Sequence, residues 1–291
     1  MDTTYLKDDR KRVCVGLLGL GLEAYWEQFA GLHDRLQGYI AEVEQKIAGP
    51  SRTIVNLGLI DSPQRGVEAA HQCREADVDV LLVYVTTYAL SSVLLPVLRR
   101  NKVPVILLNL QPTAAIDYAS FNKMDDRVAL TGEWLAYCSA CPVPEIANVM
   151  TRLGMRFEQV TGMLHDDPAC WQEIGEWLRA AEVVHTLAHS RLGLMGHYYS
   201  GMLDIATDLL GISSAFGVDI EQLEVDELTA LRRDVSDSET VAMVKRFHSE
   251  FDVDAECDET ELTRAARTSV ALEKFATKKS LGLMEIGRAH V

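Results

Sequence analysis

The side chains best suited to chemistry in this chain are Glu23 and Tyr25, then Thr86, Thr87 and Tyr88, then Gln111, and finally His197 with Tyr198. Asn109 belongs with them by position. Amides, hydroxyls and aromatic faces together suit a polyol, which offers hydroxyl donors and acceptors beside patches of C–H. Taken singly, each is an ordinary loop-packing residue. Their recurrence at the expected carboxyl ends of successive strands makes them candidates for one substrate-binding rim.

Other spacings invite other chemistry. Gly19-x-Gly21-x-x-Ala24 matches a variant of the dinucleotide fingerprint. Glu23 would repel a pyrophosphate there, Tyr25 and Trp26 crowd its approach, and no acidic residue is expected to end the second strand at the right distance. Glycine is therefore read as turn chemistry. Cys138 and Cys141 form one CxxC, but no second Cys or His pair stands at zinc-site spacing, so both are expected to be packing thiols. His185 and His189, four apart, and His165 lack a carboxylate partner nearby; no metal ligand is assigned among them. No serine or cysteine triad is visible, and no catalytic residue is assigned in this chain.

These residues must be positioned by an α/β framework. Val13 to Leu18 is an apolar run that ends in the turn Gly19-Leu20-Gly21, with a helical pattern expected from about Glu23. Phe29, Leu32, Leu36, Ile40, Val43 and Ile47 make its buried face, and Gly49-Pro50 ends it. Strands are expected over 53–59, 78–85 and 104–109, with helices over 62–76 and 91–99 between them; Ser62-Pro63 supplies a cap and a first-turn proline. Strand and helix thus alternate into a doubly wound parallel sheet of Rossmann or flavodoxin-like type. A helical stretch over 125–153, a strand over 157–163 and a long helix after Asp166-Asp167-Pro168 complete an N-terminal domain, residues 1–190.

A second α/β domain, residues 191–284, opens with the strand Arg191–Met195 and continues through a short strand near Asp219 to capped helices. Ser236 with Glu239 forms a capping box, and Asp258 caps a last helix running toward Met284. One clear strand opens this half and nothing is seen to complete a sheet, so an incomplete domain is expected. Residues 285–291, EIGRAHV, look like a translated sequencing adapter. The chain is therefore expected to be the N-terminal part of a longer protein.

Composition narrows the partners. The formal net charge of −15 disfavours nucleic acid and anionic membrane. Arg232-Arg233, Lys278-Lys279 and the acidic run 221–227 read as solvated helix faces. No apolar run reaches the roughly 20 residues a membrane helix needs. No signal-peptide core precedes the first strand, and a cytoplasmic protein is expected.

With those residues placed, the chain resembles the L-arabinose/L-fucose isomerase superfamily from about Arg12 to Met284. Arg191-Leu192-Gly193-Leu194-Met195-Gly196-His197 is similar to the strand-plus-glycine opening of the second domain of arabinose isomerases. Phe216-Gly217-Val218-Asp219-Ile220 and Val225-Asp226-Glu227-Leu228 are similar to that domain's core. Gln111 matches a position where those enzymes place a substrate-contacting glutamine. Two departures stand out: Gly19-Leu20-Gly21-Leu22-Glu23 replaces a Ser-Gln-His-type loop, and His197 replaces an aspartate. The resemblance implies a divergent aldose–ketose isomerase with a different sugar. It also implies enediol chemistry assisted by a divalent cation, usually manganese, held by two glutamates and two histidines in the C-terminal half. Active sites shared between subunits of a trimer or hexamer follow from it too, with the fragment itself inactive. The competing expectation is a sugar-binding module of the periplasmic-binding or repressor-effector type, which the same fold would serve.

Overall fold

The structure is a computed structural model that describes residues 12–197, 201 and 207–287. It divides into two compact units, with the division falling after His185, in the last turn of a long helix. The sequence suggested a boundary near Ser190.

The first unit runs β1 (Val13–Leu20), α1 (Leu32–Ile47), β2 (Arg52–Ile60), α2 (Pro63–Glu75), β3 (Val80–Val85), α3 (Ser91–Arg100) and β4 (Val105–Gln111). Next come α4 (Tyr118–Phe121), α5 (Arg127–Leu135), α6 (Val143–Arg152), β5 (Phe157–Met163) and α7 (Pro168–Ala188). Its described strands pair in the order β2-β1-β3-β4-β5, all parallel. Every residue of β1 and β3 is buried because both sheet faces are covered. One face buries Leu36, Ile40, Val43, Ile174 and Leu178 from α1 and α7. The other buries Ala69, Val93, Val97, Ile146 and Met150 from α2, α3 and α6. This is a doubly wound parallel α/β domain.

Three local details differ from the sequence expectation. A 3₁₀ turn, Glu23–Tyr25, follows β1, and α1 begins only at Leu32, because Gly31 adopts φ 81 and breaks the helical path. β4 extends through Gln111, so that residue ends the strand. β2 extends to Ile60, which puts Asp61 directly at its carboxyl end. The sequence reading had placed no acidic residue there.

The second unit holds β6 (Arg191–Met195), α8 (Leu209–Phe216), β7 (Asp219–Leu223), α9 (Val225–Arg233), α10 (Asp237–Glu250), α11 (Glu259–Lys279) and β8 (Leu283–Ile286). Among the described residues β6 lies between β7 and β8 in a parallel sheet, Leu192 opposite Ile220 on one side and Leu283 on the other. Met195, Leu223 and Phe275 form its buried centre, with Leu228, Leu231 and Leu272 packed around them. The strand pairing absent from the sequence reading is thus present. Glu285 and Ile286, assigned there to the tail, pair with Leu194 and Met195. Among the described residues no helix is long and apolar enough to cross a membrane.

Candidate functional site

In the order 2-1-3-4-5, β1 sends its chain to α1 on one face and β3 sends its chain to α3 on the other. The two loops part at the carboxyl ends of these neighbouring strands, the position where open α/β sheets bind ligands. Glu23 and Tyr25 leave β1 at this point, and Thr86, Thr87 and Tyr88 leave β3.

The β1 turn is closed by its own side chains. A Cβ on Gly19 would lie 2.3 Å from Ile40 Cδ1, so glycine there lets α1 approach the strand. A Cβ on Gly21 would lie 2.9 Å from the Trp26 ring, which covers the turn. Trp26 Nε1 donates to Asp61 Oδ2 at 2.7 Å, engaging the carboxylate that a ribose would need. The amides of Gly21, Glu23, Tyr25 and Trp26 donate to the carbonyls of Ile60, Asp61, Leu22 and Glu23. Four donors a pyrophosphate would require are therefore engaged within the protein. The turn is structural, as its glycines suggested.

Thr86 and Thr87 are buried, and their hydroxyls donate to the carbonyls of Leu20 and Leu135, both at 2.7 Å. They tie the β3 loop to the end of β1 and to the end of α5. Gln111, half-buried, holds the α5–α6 connection. With its amide oriented to satisfy every partner, it donates to the Tyr137 carbonyl at 2.5 Å and accepts from Ser139 Oγ at 2.7 Å and Ala140 N at 3.3 Å. Asn109, one residue pair earlier on the same strand, is 8% exposed and donates to Thr161 Oγ1 at 3.3 Å.

Glu23 is exposed, whereas Tyr25 and Tyr88 are half-buried against the core. Burial chiefly pushes the Tyr25 phenol pKa up, with Cys138, Tyr88 and Cys141 adding to it through their own charges. Tyr25 packs edge-on to Trp26 and Phe29, with ring centres 6.5 and 5.8 Å away, so this side of the rim is an aromatic layer over the core.

Beside that layer lies a cavity of about 420 Å³ between the start of α1 and α5, lined by Phe29, Arg35, Met124, Asp126 and Glu133 among others. Arg35 Nη1 donates to Glu133 Oε2 at 2.5 Å and Nε to Tyr39 Oη at 2.6 Å. Burial opposes the Arg35 charge, but these hydrogen bonds outweigh it and raise its pKa. An aromatic face next to a fixed guanidinium and carboxylates is a surface that hydroxyl groups can bond along. Sequence reading missed this groove, since its partners are far apart in the chain and Arg35 and Glu133 look like helix-surface charges.

The histidines serve other ends. His165 bridges the Pro112 carbonyl (2.8 Å from Nδ1) and Glu42 Oε2 (2.9 Å from Nε2). His185 is buried beside Asp79, 3.0 Å from Nδ1 to Oδ2, and Asp79 also accepts from Cys14 N at 2.7 Å. Among the described residues no three His, Cys, Asp or Glu side chains gather to hold a metal. The donor set here does not fit the two-glutamate, two-histidine manganese site that the family resemblance implies for its C-terminal half. In the second unit His197 is exposed just past β6, after Gly196 at φ 82. Tyr198 lies outside the described residues.

No profile of a known protein family matches the chain. Over 139 residues it is 30% identical to the L-arabinose isomerase of Nocardioides sp. (strain ATCC BAA-499 / JS614), a stretch that makes up 46% of this chain and 28% of that relative. The chain is, over that stretch, a distant and divergent relative of L-arabinose isomerase.

Proposed function

We propose that this chain is the sugar-facing portion of an aldose–ketose isomerase of the L-arabinose isomerase type. The observation that carries this reading is the 139-residue likeness to such an enzyme. The layout of the rim supports it: Tyr25 and Tyr88 offer aromatic faces, Glu23 an exposed carboxylate, and Arg35 with Glu133 a fixed polar edge. In this reading those side chains bind and orient a small sugar, while Thr86, Thr87 and Gln111 hold the loops that present them. His197 and Tyr198 are kept as further proposed sugar contacts in their own right.

The cation expected for the whole protein, Mn²⁺ or another divalent ion, would be held by polypeptide outside this chain. When bound it would polarise the sugar's adjacent oxygens. No step of the reaction is assigned to residues described here. The whole protein would work in the cytoplasm as a trimer or hexamer, with one subunit's rim over its neighbour's site.

The test is to titrate the 291-residue chain with L-arabinose and related pentoses by ligand-observed NMR, alongside turnover assays with and without manganese. Saturable binding without turnover is expected. Tyr88→Ala should weaken that binding roughly fivefold, the worth of one aromatic contact of about 1 kcal/mol. No binding of any pentose would defeat the sugar reading. Turnover by this chain would instead overturn the placement of the metal ligands elsewhere.

A further inference from the structure

The CxxC pair lies on the turn between α5 and α6, beside the rim, and the sugar reading gives it no role. Cys138 Sγ donates to Cys141 Sγ at 3.0 Å. Cys138 is 4% exposed, whereas Cys141 is exposed. The backbone around them is fastened at several points. Thr87 Oγ1 and Cys138 N both donate to the Leu135 carbonyl, and Gln111 grips residues 137–140. Pro142 then leads into α6. The two sulfurs are thus held facing each other by anchors on the loop after β3 and on β4, and a bond would need them to close by only about 1 Å. Packing alone does not require a thiol aimed at a thiol, one buried and one open to solvent.

We propose that Cys138 and Cys141 form a reversible dithiol/disulfide couple, oxidised by low-molecular-weight disulfides such as glutathione disulfide. The exposed Cys141, as thiolate, attacks the disulfide, forms a mixed disulfide and releases one glutathione thiolate, which takes up a proton. Cys138 then loses its proton to solvent and attacks the Cys141 sulfur, expelling the second glutathione. Two protein thiols are oxidised and one glutathione disulfide is reduced to two thiols. Geometry sets this order. Burial also pushes the Cys138 pKa up to about 12, with Cys141 adding to it, which makes Cys138 a poor first nucleophile. Once Cys141 is modified, the 3.0 Å approach makes the second step intramolecular. The couple stands whatever the neighbouring rim binds.

The experiment is to treat the full chain with glutathione disulfide and map peptides by mass spectrometry without reduction. The expected product is a Cys138–Cys141 peptide lacking two hydrogens, restored by dithiothreitol. It should form at least about tenfold faster in the folded chain than in urea, because the fold pre-positions the pair. Cys138→Ser should trap a lasting glutathione adduct on Cys141, while Cys141→Ser should leave Cys138 unmodified. Exposed Cys257 is the internal control, expected to carry a stable adduct. A persistent adduct on Cys141 in the native chain would overturn the couple. So would unreacted Cys138 and Cys141 beside a modified Cys257, or a rate no faster than in urea.

Discussion

Gly19 and Ile40 meet where a strand and a helix cross, and the space between them holds no extra atom. Gly19→Ala should lower stability by about 1–3 kcal/mol through overpacking. Adding Ile40→Val should recover part of that loss, because it shortens the side chain that the new Cβ meets. Urea denaturation of the two singles and the double checks this; strictly additive losses would mean the contact is not the cause. A second residue-scale expectation concerns Glu239. The hydrogen bond from Lys274, then the Ser236 backbone amide and hydroxyl, hold its pKa down to about 2 from 4.5. The stability it lends α10 is therefore present above about pH 4.5 and is lost as the pH falls toward 2. Thermal melts of wild type and Glu239→Gln should differ at neutral pH and converge in acid; curves that stay parallel down to pH 2 would refute it. This capping box was legible in the sequence, because Ser and Glu three apart carry a local signal. The roles of Thr86 and Thr87 were not. Their types and place at a strand end were readable, but only the folded chain puts the Leu20 and Leu135 carbonyls within reach of their hydroxyls.

Elements with strong periodicity were read well. β5 and β6 have the bounds that the sequence implied, and α2 begins at Ser62-Pro63 as its cap demanded. α1 was not delimited, because Phe29 and Leu32 continue an apolar stripe that the left-handed Gly31 interrupts. Gly31→Ala should cost about 1 kcal/mol from that backbone alone, since no atom lies near its Cβ position. Chemical denaturation measures it, and an unchanged midpoint would show that α1 starts differently. β7 was read only as a short strand near Asp219, and β8 was not read at all. Segments as short as Asp219–Leu223 and Leu283–Ile286, mixing charged and apolar residues, show no alternation until β6 supplies a partner. The groove at Arg35 and Glu133 was illegible for the same reason, its two walls being brought together only by the packing of α1 and α5.

On the scale of the molecule, the first unit contains two complete core layers, one on each sheet face, drawn wholly from residues 13–178. Residues 12–185 expressed alone should therefore unfold in one cooperative transition, followed by circular dichroism in urea. A broad, non-cooperative melt would mean that the unit borrows stability from elsewhere. The second unit is built differently, because its central strand β6 is paired by one strand close in sequence and another far away. On the ribosome β6 would emerge with both flanks bare, and one would stay bare until Leu283 and Met284 are made, roughly five to twenty seconds later at usual elongation speeds. Two nascent copies on one messenger that dock edge to edge during that wait would lower the share of native protein.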